Sequence, residues 1–538
     1  MRKIEPEFIT GMGYIGASPG VLYHMGGAGE QTVVTGNPAL LEGVKGNRFT
    51  SLTLHGISTQ VSTTGAQLLD ASLLKNTSSV SVECNGSDII ITALEDGPYR
   101  QTSSVPIGFF EEGDQICIAA EAFPKDNVVI IRDSSGVTIA NVIISNGLQE
   151  VVTIPANGTY RIILCINKGV SVKAGTVGVF SKLIVNKGDV SKDYEPYTGG
   201  KPSPSPEYPQ EIKSAGDGGS VTVKVTGKNL FPVVTSANLS KINKPDGGVR
   251  YGYVFYVPVG SSVAASGNVN VYTNCYVGDF DIKTQTYTQK ALRVSEKGVA
   301  NAITLQSGRY VIYAANDYLP SILIKLNGAK IQLEIGAEAT AYEPYKPAQT
   351  LIISTPNGLP GIPVSSGGNY TDEKGQQWVC DEVDFKKGVY VQRIGKRTIT
   401  SKDIFFKSGL STNDVNYFAL NNFTVHIGTA GEKDVIMSNC FVAGIYQHFS
   451  TLGEIFLGSK TGDIVYFSVD AQKYPDTETF KQWAVENGLM FLYQLADIVE
   501  THLTAEELSA YKTLRTYSPT TTVINDAGAG MSVGYKRK

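Results

Sequence analysis

The chain is poor in charge and in the groups that metal and acid–base chemistry draw on. Only 18% of its 538 residues are charged, and it holds five histidines, six cysteines and two tryptophans. Net charge is −4, with no long block of Lys or Arg. A nucleic-acid groove normally leaves a basic footprint, so no nucleic-acid partner is expected. No apolar run approaches the roughly 18 residues of a membrane span, and the opening MRKIEPEFITGMGYIG lacks the apolar core of a signal peptide. Membrane insertion is not expected, and a protein of this kind acting outside its cell would leave by lysis or inside a particle. Cys84, Cys117, Cys165, Cys275, Cys380 and Cys440 are too scattered for a zinc ribbon or a CxxC. Most sit in or beside apolar runs such as QICIAA and RIILCIN, where a free thiol packs as a small hydrophobe. Free, mostly buried thiols and folding in a reducing compartment are the expectation. His24, His55, His426, His448 and His502 form no HExxH and no close pair, and no GxxxxGK[ST] loop occurs. No cofactor and no metal are expected.

What is plentiful is Gly (57) and Tyr (28). VSVECN, DIIITAL, QICIAA, NVVIIRD, VTIANVIIS, EVVTIP and YRIILCI are short β-branched or alternating runs separated by turn residues. Asn-Gly, a tight-turn dipeptide, occurs six times, at Asn85, Asn146, Asn157, Asn327, Asn357 and Asn487. Strands recurring between such turns read as a sandwich or jelly roll. The expected class is mainly β: tandem β-sandwich (jelly-roll-like) modules followed by an α+β C-terminal domain.

An internal repeat organises the protein. One copy opens at Thr64-Gly65-Ala66-Gln67-Leu68-Leu69, the other at Thr226-Gly227-Lys228-Asn229-Leu230-Phe231. The copies close alike, on KLIVNKGDVSKDYEPY to Tyr197 and KIQLEIGAEATAYEPY to Tyr345. Between them TGGKPSPSPEYPQEI, Thr198 to Ile212, carries four prolines and is expected to lie extended as a stiff spacer. Near the end, PDTETFKQWAVENG offers Asp476 or Thr477 as N-cap and Gly488 as stop. Thr504-Ala505-Glu506-Glu507 reads as a capping box. The implied division is 1–60 attachment segment, 61–200 first module, 201–222 linker, 223–346 second module, 347–378 connector and 379–538 terminal domain.

Catalytic motifs are thin. GxSxG occurs at Gly16-Ala17-Ser18-Pro19-Gly20 and Gly530-Met531-Ser532-Val533-Gly534, but neither has the strand–turn–helix context of a nucleophile elbow. Glu111-Glu112, Asp279 with Asp281, and Asp381-Glu382 with Asp384 are carboxylate pairs available to a glycosidase, but solvated turn positions are the favoured explanation. Asp246-Gly247-Gly248 and Asp372-Glu373 offer oxygens to calcium without an EF-hand pattern; turns explain those. No catalytic residue is assigned. For binding, Tyr251, Tyr253, Tyr272 and Tyr276 fall on period-two faces, where a tyrosine can stack on a sugar ring or line a sandwich core.

Several phrases carry a resemblance. GNPALLEGVKGNRFTSLTLHGISTQ, KPSPSPEYPQEIKSAGDGGSVTVKVTGKNLF and IQLEIGAEATAYEPY resemble minor structural tail and baseplate proteins of phages and prophages of Gram-positive bacteria. So do LPGIPVSSGGNYTDEKGQQWVCDEVDFKKGVYVQRIG, TFKQWAVENGLMFLYQLA and LTAEELSAYKTLRTYSPTTTVINDAGAGMSV. The resemblance implies a non-enzymatic virion component, assembled in the host cytoplasm, released by lysis and contributing to host attachment. Its implied partners are other tail proteins and a host cell-wall glycan or surface protein, with a homotrimer favoured. A glycan-binding receptor protein, a glycan-cleaving tailspike and a head-decorating fibre are the competing readings.

Overall fold

The computed structural model describes residues 31–60, 65–121, 127–143, 149–166, 171–199, 203–243, 249–258, 261–267, 275–281, 286–287, 292–294, 302–304, 309–314, 330–421, 435–444, 452–458 and 464–538. The fold is mainly β. Among the described residues there are two α-helices, Thr477–Glu486 and Ala505–Thr513.

Strands from both ends of the sequence build a central hub. One sheet runs in the order Gln31–Thr35, Gly530–Lys536, Ser51–His55, Glu382–Asp384, Val389–Thr398, Met490–His502 and Ile436–Ser438. A second runs Ala39–Glu42, Thr520–Asn525, Gly219–Thr226 and Gln349–Thr355. Alternation along these strands turns Val34, Leu52, Leu54, Val383, Met531 and Val533 of the first sheet inward. They meet Leu41, Val221, Val223, Val225, Leu351, Ile353 and Val523 of the second in one buried core. Removing each such residue from water stabilises the hub by roughly 1.5–3 kcal/mol. The boundaries drawn from sequence at 60, 222 and 378 cut across this core. Local patterning reveals a strand but not its partner, and here Gln31–Thr35 pairs with residues some 500 positions away, Gln31 opposite Lys536.

Three units are inserted into the hub. The first packs three groups of strands, led by Gly158–Ile166, Gln115–Ala119 and Asp88–Ala93, around Ile91, Ile116, Ile131, Ile162, Leu164 and Phe180. The second is built round Val249–Tyr256 and Ser262–Ser266, with a core that runs on into Leu40 and Ile524 of the hub. The third, within 399–489, wraps Phe405, Phe418, Phe441 and Phe467 around Phe480 of the helix Thr477–Glu486. That helix is capped by Asp476, whose carboxylate accepts from the Thr479 N–H at 2.8 Å, and Gly488 follows with φ +59. The Thr504–Glu507 capping box is formed in full. The two helices of 379–538 therefore divide between an inserted unit and the hub.

The proline-rich stretch does not stand free. Ser205 and Tyr208 exchange backbone hydrogen bonds at 3.1 Å, closing a turn. Gln210 N–H then donates to Asn439 O at 2.7 Å, and Ile212 is buried beside Met437 and Leu492. Prolines remove donors but still permit turns. The apolar surface offered by the hub strands Ile436–Ser438 and Met490–His502 outweighs the preference for an extended spacer.

The two repeats close by the same device. In the first module the buried Gln67 amide donates to Leu183 O at 2.8 Å and accepts from Leu69 and Val185 N–H at 3.2 and 3.0 Å. In the second, Asn229 donates to Ile331 O at 2.9 Å and accepts from Phe231 and Leu333 N–H at 2.9 and 3.2 Å. Both also reach the carbonyl of the YEPY glutamate, Glu195 at 3.4 Å and Glu343 at 3.2 Å. One amide thus ties the segment entering each module to its last strand, Ile184–Lys187 in the first and Gln332–Ile335 in the second. Replacing Asn229 by Ala strands several buried backbone groups and should destabilise the second module by roughly 2–4 kcal/mol. Amide exchange should quicken along Val249–Tyr256 and Gln332–Ile335 while the first module's strands keep their rates; Gln67→Ala should do the reverse.

Candidate functional site

Of the four tyrosines singled out from sequence, the three on described strands do not share one strand phase. Tyr253 meets Phe231 edge-on at 6.1 Å and lies along Phe255 at 6.3 Å, against the second module's core. Burial, with Tyr345 nearby, pushes its hydroxyl up to about 12. It forms part of the core wall. Tyr251, in the same strand phase, is half-buried and opposite Lys241. Tyr276 is in register with Tyr313, and Tyr313 with Gly252. That places Tyr276 one step out of phase with Tyr253, whose line runs through Ile312 and Val277. Tyr272 lies outside the described residues. Tyr251 and Tyr253 share a strand phase, and the register that sets Tyr276 out of it is not visible within one strand.

The densest polar constellation lies on the hub instead, where three sequence-distant strands meet. His55 Nε2 is 3.0 Å from Ser532 Oγ, and His55 Nδ1 is 3.1 Å from Glu382 Oε1. Glu382 also holds Arg393, whose Nη1 is 2.7 Å from Oε2. Strand register brings them together: Glu382 is directly opposite His55, and Ser532 is opposite Thr53, two residues along from His55. Tyr370 stacks on the His55 ring at 4.2 Å, leaving the histidine 6% exposed. Burial would raise the Glu382 carboxyl, but the bond and charge of His55 and the charge of Arg393 outweigh it and hold it at about 2.

Serine, histidine and glutamate at these separations have the spacing of a nucleophile, its base and an orienting acid. Their setting differs from a nucleophile elbow. Ser532 sits inside a regular strand, paired with Thr35 on one side and Thr53 on the other. Strand N–H groups engaged in ladders are not free to stabilise an oxyanion. The row is a polar cross-strand staple. The GxSxG was visible in the sequence, but nothing local in it points to His55 or Glu382.

Next to it Asp381 performs a second structural task. Its Oδ1 accepts from the Arg393 and Ile394 N–H at 2.8 and 2.9 Å, and Oδ2 accepts from the Tyr390 hydroxyl at 2.5 Å. Those N–H groups flank the bulge that breaks the Val389–Thr398 ladder between Gln392 and Ile394. Burial pushes this carboxyl up to about 6 against the pull of its three donors. Other acidic candidates serve turns. Asp384 accepts from Lys386 and Lys387 N–H at 2.9 and 3.0 Å, and Asp372 from Lys374 and Gln376 N–H at 2.9 and 3.0 Å. Glu111 and Glu112 are exposed beside a turn, the side chains of Asp279 and Asp281 are not among those described, and Asp246–Gly248 lies outside the described residues. Among the described residues no group of three or more His, Cys, Asp or Glu could hold a metal ion. Five described cysteines are free thiols, four of them buried.

The two neighbouring carboxyls act in separate pH windows. Asp381 is raised, so its contribution is full below the ordinary carboxyl range and is lost as pH rises through about 6. Glu382 is depressed, so its contribution holds above the ordinary range and is lost as pH falls towards about 2. Asp381→Asn should therefore gain stability relative to the parent by up to about 3 kcal/mol as pH rises through that upper window, measured by urea unfolding at a series of pH values. Ser532→Ala should cost the hub about 1 kcal/mol and leave the turnover of a chromogenic ester unchanged from background.

No protein-family model matches this sequence, and no curated protein matches it. Among solved structures it is similar to the crystal structure of Streptomyces avermitilis alpha-L-rhamnosidase complexed with L-rhamnose, at 10% identity and a TM-score of 0.11. That match covers 85% of this protein, which spans 46% of the rhamnosidase. A likeness of that size carries no argument about fold or activity.

Proposed function

We propose that this protein is a non-enzymatic structural component of a phage tail, part of a baseplate or a fibre-like appendage, that contributes to host-surface attachment. The observation that carries the reading is the placement of four of the six phrases that resemble tail proteins. Of the other two, IQLEIGAEATAYEPY lies in the second inserted unit and TFKQWAVENGLMFLYQLA starts in the third. Residues 36–60, 201–231, 359–395 and 503–533 are far apart in sequence, yet their strands Ala39–Glu42, Ser51–His55, Gly219–Thr226, Glu382–Asp384 and Thr520–Asn525 share the two hub sheets. A resemblance arising by chance in scattered turns and linkers has no reason to gather into one body. The inserted modules supply surface that can differ while the hub is retained. Attachment chemistry belongs to such surface, since loops on a rigid scaffold are where binding residues concentrate.

In this reading the hub docks onto other tail proteins, a homotrimer is the favoured assembly, and the ligand is a cell-wall glycan or surface protein of a Gram-positive host. Antibody raised against the purified protein should decorate the distal tail of particles released from such a host, seen by electron microscopy. Labelled protein should bind intact host cells saturably and lose that binding on cells stripped of wall glycans. Decoration of the capsid, or of no particle, rejects the assignment. Tail decoration without cell binding keeps the structural role and removes the attachment role.

A further inference from the structure

We propose that Asn85 is a site of spontaneous covalent modification, the one of the four described Asn-Gly pairs that the fold leaves free to deamidate. The chemistry is intramolecular. The Gly86 backbone nitrogen gives its proton to solvent and attacks the Cγ carbonyl carbon of Asn85. A new bond from that nitrogen to Cγ closes a five-membered succinimide as the bond from Cγ to Nδ2 breaks and ammonia leaves. Water then opens the ring at either carbonyl, leaving aspartate or isoaspartate. Nothing but water is consumed, so the rate is set by how freely the two groups can meet.

The fold treats its Asn-Gly pairs unequally. At Asn157 the Oδ1 oxygen accepts from the Glu112 N–H at 2.7 Å, and Gly158 pairs with Phe110 at a strand start. At Asn357 the attacking group is engaged, the Gly358 N–H donating to Thr355 O at 2.9 Å. At Asn487 both are held: the Nδ2 amide donates to Trp483 O at 2.9 Å and the Gly488 N–H to Val485 O at 3.2 Å. Asn85 and Gly86 are both exposed, and among the described residues neither the Asn85 amide nor the Gly86 N–H has a hydrogen-bond partner. Gly86 has φ +61, and nothing lies within 4 Å of where a Cβ would stand. The pair forms the tip of the hairpin joining Val80–Asn85 to Asp88–Ala93, with Asn85 opposite Asp88. The ring-closing rotation at the tip breaks no core contact, because the buried residues of the hairpin, Val80, Ile89, Ile91 and Ala93, lie further along its strands.

The product is not silent. Asp88 directly opposite already carries a carboxylate, its Oδ1 2.6 Å from Ser181 Oγ, and like charges directly opposite destabilise a strand pair. Isoaspartate also lengthens the backbone by one carbon, which shifts the register at the tip.

The test is peptide mapping by mass spectrometry of the folded full-length protein held in mildly alkaline buffer, beside the same protein in urea. In the folded protein the Asn85 peptide should gain the amide-to-acid mass and an isoaspartate signal several-fold faster than the Asn157, Asn357 and Asn487 peptides. In urea the four rates should converge, and Asn85→Gln should abolish the fast component. Equal rates at all four sites in the folded protein, or an Asn85 amide that survives in the fold while converting in urea, overturns the proposal.

Discussion

A buried amide that joins the segment entering a module to that module's last strand is the constraint on which the architecture depends. Gln67 and Asn229 each satisfy main-chain groups of the entry segment and of the exit strand at once, so each module begins and ends at one place. A unit whose ends coincide can be inserted into another domain without pulling that domain apart. The third unit obeys the same rule through its backbone, the Ile399 N–H donating to Leu489 O at 2.8 Å. With three such closures, segments far apart in sequence return to the hub and complete two sheets around a single core.

The hub then needs register control where strands from opposite ends of the sequence meet. The Ser532–His55–Glu382–Arg393 row and the Asp381 cradle supply it. A one-residue slip would turn Leu54, Val383 and Met531 out of the core and His55 into it. Unpaired polar groups in the interior cost more than paired ones contribute, so the row specifies pairing more than it adds stability. That explains a triad-like geometry without assigning it chemistry.

Much of this was legible in the sequence, and the limits are physical. Strand positions followed from alternation, and the helix Thr477–Glu486 followed from its cap and stop signals. The repeat was readable because Thr-Gly-x-amide and the closing YEPY sit at matched places, and the structure gives that amide its role. Domain boundaries were misdrawn because a linear division cannot see that Gln31–Thr35 pairs with Gly530–Lys536. The proline stretch was misread because its packing partners, Asn439 and Met437, are more than two hundred residues further on. Register between strands, which sets Tyr276 out of phase with Tyr251 and Tyr253, is not readable within one strand, and the polar row was invisible because its members share no local motif.

The central claim is that the hub is one domain interrupted by latched insertions. Its most direct test is to excise residues 65–197, replace them with a short Gly-Ser loop, and follow hydrogen exchange in the hub. Ser51–His55, Gly219–Thr226 and Gly530–Lys536 are then predicted to keep the protection they have in the intact protein. Loss of protection in those strands on removal of the module would contradict it.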